Sequence, residues 1–158
     1  MRQKCYFESP IGTLCLVEEE NYIVGLYPEE DMGKDSSSET PLLKLARQQL
    51  REYFDGERRE FTLPVRLDGT EFQKKVWKAL QTIPYGETRS YGEIARQIGS
   101  PKAARAVGGA NNKNHIIILI PCHRVVGANG ELVGFGCGLD VKEYLLNLEK
   151  GNIVKGMK

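Results

Sequence analysis

The stretch Ile116-Ile117-Ile118-Leu119-Ile120-Pro121-Cys122-His123-Arg124-Val125-Val126 joins the longest apolar run of the chain to a thiol beside an imidazole. The five apolar residues at its start, mostly β-branched, predict a short buried strand. Pro121 cannot donate a ladder hydrogen bond, so we expect the strand to end there and a turn to present Cys122 and His123. A nucleophile held in this way is typical of covalent catalysis. Because free cysteines are more often core residues, the pair alone does not establish a nucleophile.

The composition is that of an ordinary globular protein. The chain has 158 residues, 41% of them apolar and 27% charged, enough for a core in one or two small domains. Its longest apolar run is too short to span a bilayer, and its start lacks the apolar segment of a signal peptide. We therefore expect a cytoplasmic protein with no membrane partner. With four cysteines in no Cys-x-x-Cys pair and only two histidines, we expect neither a disulfide nor a metal site.

Charge divides the chain into two parts. Residues 1–66 hold 9 Lys or Arg against 13 Asp or Glu, whereas residues 67–158 hold 13 against 8. A basic half indicates contact with a polyanion such as a nucleic acid. We predict two domains with this boundary, an N-terminal sheet-plus-helix domain over 1–66 and a mainly helical domain over 67–158.

The N-terminal part has strand patterning followed by one helix. The three predicted antiparallel strands are Lys4–Glu8, Thr13–Glu18 and Tyr22–Tyr27. Thr40-Pro41 is a helix start, and the helix is expected to end at Gly56. The intervening segment 29–39 is polar and predicted to be mobile. We find no candidate catalytic residue in this part, and we interpret Cys5 and Cys15 as strand residues.

The second part has helices with clear start signals. Thr70 with Gln73 and Ser90 with Glu93 are capping boxes, and Ser100-Pro101 is expected to start a further helix almost at once. A short helix, a tight turn and a second helix form a helix-turn-helix pattern. The predicted fold class is therefore α+β, with a small antiparallel sheet and one helix before a mainly helical, cysteine-bearing domain.

The second helix of this pattern is unusually bare. Residues 102–110 are mostly alanine and glycine, and Arg105 is the one long side chain on the predicted outer face. Ala103, Val107 and Ala110 share a face that can pack inward. A major-groove reader needs several side chains that reach base edges, whereas a smooth helix suits close approach in the minor groove. Small residues also permit tight helix packing, and the sequence leaves both interpretations open.

The C-terminal region combines a glycine-rich segment with a last helix. Residues 127–138 are glycine-rich, which allows a ligand to approach the backbone. The last helix is predicted to open at Asp140, with a buried stripe formed by Val141, Tyr144, Leu145 and Leu148. Glu149 lies beside this stripe in the final turn. It is either a solvated surface residue or a carboxylate that orients His123.

With the Pro-Cys-His-Arg-Val block at 121–125, the chain resembles the O6-alkylguanine-DNA alkyltransferases, also called methylated-DNA–protein-cysteine methyltransferases. The matching segments are Phe72, Ile83–Thr88, Ser90-Tyr91, Ala103–Gly108, Asn114, Gly138-Leu139 and Glu149, with a looser N-terminal match at Ser9–Gly12. The resemblance implies a DNA-repair protein that moves the alkyl group of O6-alkylguanine, and of O4-alkylthymine, to its own cysteine. Each molecule acts once, and no cofactor is needed.

The resemblance also implies catalytic roles at matching positions. Cys122 is the alkyl acceptor, and His123 removes its proton through a water molecule. Glu149 holds the imidazole, and Asn114 braces this network. Tyr91 helps to rotate the nucleotide out of the duplex and supplies a proton to the leaving guanine. A bridging water is physically reasonable, because adjacent side chains in an extended or tightly turned segment point apart.

The implied partner is double-stranded DNA containing O6-alkylguanine, bound by a monomer from its minor groove. Arg105 is expected to enter the base stack in place of the flipped nucleotide. The other expected DNA contacts are Lys102, Ala103, Ala104, Ala106 and Gly108, and the expected pocket residues are Val125, Phe135 and Gly136. The backbone groups of Cys122 and Val125 are expected to accept hydrogen bonds from the guanine amino group.

Four positions depart from the family pattern. Phe135 and Gly136 lack the hydroxyls that some members have there, and Cys137 is a bystander or a second reactive thiol. His115 replaces a frequent proline and is given no role.

Two other functions remain open. A lesion-binding module without transfer activity would share the helix-turn-helix but not need Cys122. A Cys–His hydrolase or thiol transferase would leave Arg105 without a purpose.

Overall fold

The computed structural model describes residues 2–29, 39–130 and 138–151. The chain begins with a three-stranded antiparallel sheet in the order β1-β2-β3, formed by Arg2–Ser9, Gly12–Glu19 and Tyr22–Pro28. Helix α1, Pro41–Phe54, packs on this sheet, and the Thr40 hydroxyl caps it by accepting from Leu43 N at 3.0 Å. These elements confirm the predicted strands and helix start. The predicted mobile segment lies mostly outside the described residues.

Strand β3 connects the sheet to the rest of the chain. Ile23 N donates to Pro64 O at 2.8 Å and Ile23 O accepts from Arg66 N at 3.1 Å, which forms an isolated bridge between Ile23 and Val65. Further along β3, Leu26 N donates to His115 O and Leu26 O accepts from Ile117 N, at 2.8 and 2.9 Å. Most buried apolar side chains of both halves form one core, and Cys15, Val17 and Val24 form a smaller separate cluster in the sheet. The N-terminal sheet therefore supports the segment that leads to Cys122 directly.

The helices of the second half begin largely as predicted. Helix α2 is Glu71–Leu80 and helix α3 is Tyr91–Gln97, and both capping boxes, at Thr70 and Ser90, are formed. The two-residue strand β4, Arg89–Ser90, precedes α3. Because each capping box satisfies backbone groups within three residues of itself, its sequence signature is a local and dependable one.

The start of helix α4 was predicted wrongly. The helix is Ala104–Asn112, whereas Ser100 to Lys102 form a turn in which Ala103 N donates to Ser100 O at 2.8 Å. Ala103 caps the helix without a side-chain hydrogen bond and is half-buried, so the inward face consists of Val107, Ala110 and Asn111. The proline fits the turn equally well, which is why the sequence signal was ambiguous.

The predicted strand at Ile116–Ile120 is also wrong, although the predicted burial is right. Ile116 forms one bridge to β3, and the residues after it turn, with Ile120 N donating to Ile116 O at 3.0 Å. Ile118 has a φ of 73°, a left-handed conformation that is costly for a β-branched residue. Four of the five side chains are at most 2% exposed. Buried apolar runs do not distinguish strands from other buried segments by periodicity.

The chain then makes a 3-10 turn at Cys122–Arg124 and a two-residue strand β5, Val125–Val126, which pairs in parallel with β4. The last helix, α5, is Leu139–Glu149. It begins one residue before the predicted Asp140, after Gly138, whose φ is 104°. No helix in the described part of the chain is long and apolar enough to cross a membrane.

The architecture is α+β, as predicted, with a small antiparallel sheet and one helix before a mainly helical half. The buried stripe of α5 differs in detail from the expected one. Val141 and Tyr144 are half-buried, whereas Lys142 and Glu149 are buried beside the leucines of this helix. A buried lysine and a buried glutamate need compensating partners, which lie around Cys122.

Candidate active site

The turn that carries Cys122 is held by Asn114. Its side-chain Nδ2 donates to Ile120 O at 2.8 Å, and its Oδ1 accepts from Ile116 N at 2.9 Å. The turn then continues with Arg124 N donating to Pro121 O at 3.0 Å. Asn114 therefore fixes the backbone of the segment that enters the turn through two backbone contacts.

His123 and Glu149 form a buried pair. The imidazole Nε2 lies 2.6 Å from Glu149 Oε2, and both side chains are at most 1% exposed. A carboxylate accepts hydrogen bonds, so Nε2 carries the proton and Nδ1 carries the lone pair. Within the described residues, Nδ1 is buried and has no hydrogen-bond partner. The imidazole therefore presents an available base beside the Cys122 turn, and the orienting role of Glu149 is the interpretation that the geometry favours.

Arg124 clamps the same carboxylate. Its Nε donates to Glu149 Oε1 at 2.8 Å and its Nη2 to Oε2 at 2.9 Å, while its Nη1 donates to Ile83 O at 2.7 Å. Burial alone would raise the pKa of Glu149, but the charges and hydrogen bonds of His123 and Arg124 lower it far below its usual range. The site thus holds a permanent carboxylate.

Burial lowers the pKa of His123, and the attraction of Glu149 opposes this effect only in part. The imidazole is therefore neutral at physiological pH, which is the form that can accept a proton. Sequence reasoning gave Arg124 no role, although it lies in the matched block. Its position next to His123 was the available signal.

Tyr53 also belongs to this cluster, although we expected no such residue in the N-terminal part. Its hydroxyl lies 2.6 Å from Glu149 Oε2, with both groups buried. Gly86 N is a longer donor, 3.4 Å from Oε1. The expectation was wrong because 96 residues separate Tyr53 from its partner, and no local pattern indicates so distant a contact.

Two titratable side chains lie near the thiol. Burial, together with the charge of the Cys122 thiolate, raises the pKa of Tyr91. Burial lowers the pKa of Lys142 to about 8, an effect that the Cys122 thiolate opposes. The Lys142 ammonium lies 5.8 Å from the centroid of the Tyr91 ring, so the three groups are close together. Sequence reasoning missed Lys142, although its spacing of seven residues from Glu149 places both on one face of a helix.

Asn111, at the end of α4, is a further residue that the sequence did not indicate. Its Nδ2 lies 3.3 Å from Cys122 O, and its Oδ1 is buried without a hydrogen-bond partner in the described part of the chain. The α4 backbone is held here because Trp77 Nε1 donates to Ala110 O at 3.0 Å. Two buried acceptors, Asn111 Oδ1 and His123 Nδ1, thus belong to residues that adjoin the cysteine.

The predicted DNA contacts lie together at α4. Arg105 and Ala106 are exposed on the helix and Lys102 is exposed in the turn before it, while Ala103, Ala104 and Gly108 are half-buried. A Cβ at Gly108 would lie 3.7 Å from the Tyr91 ring. A surface hollow beside the two helices is lined by Ser90–Glu93, Arg96, Ala104 and Ala128. Tyr91 thus borders both this hollow and the surroundings of the thiol.

Of the remaining predicted positions, some are buried or half-buried and the others lie outside the described residues. Cys122 is 2% exposed and Val125 is buried in β5. Phe135, Gly136 and Cys137 lie outside the described residues. His115 is half-buried, with its ring edge-on to Trp77 at 5.7 Å between centroids. Among the described residues, no group of three or more His, Cys, Asp or Glu could hold a metal ion.

Comparison with known proteins gives matches over nearly the whole chain. The family model described as "6-O-methylguanine DNA methyltransferase, DNA binding domain" matches residues 71–151, and the one described as "6-O-methylguanine DNA methyltransferase, ribonuclease-like domain" matches residues 3–67. A methylated-DNA–protein-cysteine methyltransferase of Methanosarcina acetivorans is 52% identical, over 90% of this chain and 95% of the relative. The constitutive enzyme of that name from Bacillus subtilis is 49% identical, over 90% and 92%.

A solved structure is similar over the same extent. The crystal structure of Mycobacterium tuberculosis OGT in complex with DNA superposes with a TM-score of 0.85 at 50% identity, covering 94% of this chain and 93% of that one. At this level of identity and coverage, the similarity extends to both the N-terminal sheet and the helical half.

Proposed function

Since the chain belongs to the 6-O-methylguanine DNA methyltransferase family, we propose that Cys122 is its alkyl acceptor and that the surrounding cluster activates this thiol. The chain is a DNA-repair methyltransferase, which transfers a methyl group from methylated DNA to a protein cysteine. The observation that carries the proposal is the 2.6 Å contact between His123 Nε2 and Glu149 Oε2. Because Nε2 is used in this contact, Nδ1 stays available to accept the proton of the adjacent Cys122.

The thiol is proposed to lose its proton through water. A thiol of ordinary pKa, about 8.5, is only a few per cent ionised at neutral pH, so a base must take its proton. Asn111 Oδ1 and His123 Nδ1 are two buried acceptors beside Cys122, and a buried water needs two to four such partners. Water held there would pass the Cys122 proton to Nδ1, and Glu149 would stabilise the resulting imidazolium.

Transfer itself is a substitution at carbon. The Cys122 thiolate attacks the alkyl carbon of O6-alkylguanine, a carbon–sulfur bond forms, and the bond from carbon to O6 breaks with its electron pair on guanine. Tyr91 then gives the guanine a proton. Burial and, to a lesser extent, the negative charge on Cys122 raise the pKa of Tyr91 beforehand. Transfer removes that charge, so the phenol becomes a better acid as the guanine leaves. The thioether has no leaving group, so each molecule acts once.

Lys142 is proposed to favour the thiolate by its positive charge. The ammonium is buried near Cys122, and below its pKa of about 8 it is mostly protonated. A neighbouring cation favours the ionised thiol by about one pKa unit or more. We therefore expect Lys142→Met to lower the rate of Cys122 alkylation at pH 7 by about tenfold.

The measurement is single-turnover alkylation by free O6-benzylguanine as a function of pH, which leaves DNA binding out. The deficit of Lys142→Met should narrow above pH 9, where the thiolate forms without help and Lys142 is neutral in the unchanged protein. Lys78→Met, which removes an exposed lysine of α2, is the matched control and should keep the full rate. Equal rates for Lys142→Met and the unchanged protein at pH 7 would contradict the role.

The proposed DNA surface is the exposed side of α4 with the turn before it. Its small residues let the helix approach a sugar-phosphate backbone closely, and Arg105 stands exposed among them. The reacting base cannot be reached within a duplex, so it must be rotated out at a cost of a few kcal/mol. A planar guanidinium can stack in the space that the base leaves. The hollow beside Tyr91 is the side from which such a base would approach Cys122.

For Arg105→Ala, we expect repair of an O6-methylguanine duplex to slow by about tenfold. The rate with free O6-benzylguanine should stay within twofold, because that substrate needs no base flipping. Lys44→Ala, which changes an exposed residue of α1 in the N-terminal half, is the control for loss of one positive charge. Equal losses on both substrates would argue against a finger role for Arg105.

The proposed partner is double-stranded DNA that contains O6-alkylguanine or O4-alkylthymine, bound by one copy of the chain. The proposed compartment is the cytoplasm, because the acceptor must remain a free thiol and a reducing compartment preserves it. No cofactor enters this scheme, since the protein itself receives the alkyl group. The direct test is the mass of the protein after incubation with methylated duplex DNA, with Cys122→Ala as the comparison.

A further inference from the structure

Glu149 Oε2 is shared by three donors, and one of them comes from the N-terminal half of the chain. His123 Nε2 lies 2.6 Å from this oxygen, Arg124 Nη2 lies 2.9 Å from it and the Tyr53 hydroxyl lies 2.6 Å from it. The first two belong to the turn that carries the thiol. Tyr53 belongs to α1, which packs on the N-terminal sheet. The N-terminal half therefore reaches the same carboxylate oxygen that accepts from the imidazole.

We propose that Tyr53 is a positioning residue of the alkyl-transfer reaction, whose hydroxyl fixes the Glu149 carboxylate and moderates its attraction for His123. The inference rests on the proposed function of Cys122 and His123. It gives the N-terminal half a direct part in the chemistry, beyond its structural support of the Cys122 turn.

The Tyr53 hydroxyl is held rigidly enough for this role. The side chain is fully buried, and its ring packs against those of Phe54, Phe61 and Tyr85 at centroid distances of 5.3, 5.5 and 6.2 Å. The Arg124 guanidinium also lies over the Tyr85 ring, with its Cζ 5.8 Å from the ring centroid. One aromatic cluster thus supports two of the groups that hold Glu149.

The electrostatic effect of Tyr53 has a definite sign. Burial and the Glu149 charge raise the pKa of Tyr53 well above its usual value, so it is always a donor. Without this donor, Oε2 would interact more strongly with the imidazolium form of His123. The other charged and titratable groups around the pair are Arg124, Lys142, Tyr85 and the Cys122 thiol, and all of them remain in place. Removal of the hydroxyl should therefore make His123 easier to protonate.

The test is Tyr53→Phe, which keeps the ring and removes the hydroxyl. The quantity to measure is the single-turnover rate of alkylation by O6-benzylguanine from pH 5 to 9, at a temperature well below the unfolding temperature of every variant. The rate at neutral pH should fall about fivefold, and the midpoint of the acid limb should move up by about half a pH unit. The control is Tyr27→Phe, which removes another hydroxyl of the sheet-plus-helix half, one that contacts Cys15. It should change neither quantity.

A Tyr53→Phe rate at the level of the unchanged protein would overturn the inference. So would a lower rate whose acid midpoint stays in place, since a purely structural role slows the reaction at every pH without moving that midpoint. The unchanged protein separates this failure from failure of the proposed function. If its own Cys122 takes up no benzyl group, the proposed function fails, and if it does while Tyr53→Phe behaves identically, only this inference fails.

Discussion

A Cys122→Ala variant is expected to gain no methyl group from duplex DNA containing O6-methylguanine, whereas the unchanged protein gains one per chain. The variant loses the only atom that can attack the alkyl carbon in the proposed scheme. Cys122 is almost fully buried, and alanine is small enough to fit, so the fold should persist with a modest cavity. Intact-protein mass spectrometry after incubation gives the answer directly, and peptide mapping places the methyl group.

The other described cysteines provide the control. Burial raises the pKa of Cys5 to about 11, so this thiol is essentially un-ionised at neutral pH. A Cys5→Ala variant removes an equally buried thiol and should still gain its methyl group. A gain that persists in Cys122→Ala and maps to another cysteine would refute the assignment.

The same experiment distinguishes the three functional classes that the sequence left open. Binding to methylated DNA without any gain in mass would indicate a lesion-binding module. Turnover of esters or amides in the absence of DNA would indicate a hydrolase. Stoichiometric methylation that stops after one event per chain is expected only from a single-use acceptor, because a thioether does not regenerate the thiol.

Local signals in the sequence predicted the fold most reliably. The caps at Thr40, Thr70 and Ser90 form as expected, since each acts on backbone groups three residues away. The prediction of the start of α4 was wrong because Ala103 supplies no capping side chain. The helix boundary depends instead on the preceding turn. Interactions beyond a few residues were not encoded in any such pattern.

The segment before Cys122 illustrates a second limit. Its apolar run correctly predicted burial, but burial does not specify a backbone path. The path is set by the Asn114 side chain, which binds the backbone at both Ile116 and Ile120, and by contact with β3. The resemblance to a family indicated that Asn114 matters, and the structure supplies the contacts through which it acts.

The candidate site shows the same division. The pairing of His123 with Glu149 was inferred from the resemblance, and the geometry agrees with it. Lys142 had a usable signal in its spacing from Glu149, which was overlooked because a lysine is usually solvated. Tyr53 had none, because its contact depends on how α1 and α5 meet in the folded molecule.

The largest expected effect on stability is that of Glu149→Ala. This change removes the partner of Arg124, of His123 and of Tyr53 in one step, and leaves a buried guanidinium without its carboxylate. Breaking a buried ion pair from one side costs about 3–5 kcal/mol, a large part of a typical stability of about 5–15 kcal/mol. Urea denaturation at pH 7 measures the loss. Glu52→Ala, which breaks the solvent-accessible pair with Arg58, should cost much less, because water screens such a pair.

Glu149→Gln keeps the shape of the side chain and allows the charge to be tested in a folded protein. The folded-state pKa of Glu149 is far below its unfolded value, so its charge stabilises the fold above the unfolded pKa, about 4.3, and this contribution is lost as the pH falls towards the folded pKa. The stability gap between the unchanged protein and Glu149→Gln should therefore be complete at pH 7 and narrow below about pH 4. A gap that is constant from pH 7 to pH 3 would mean that the carboxylate charge contributes nothing, and that packing alone accounts for the loss. The alkylation rate of this variant at pH 7 should be about 10–100-fold lower, because the imidazolium of His123 loses the negative charge that stabilises it.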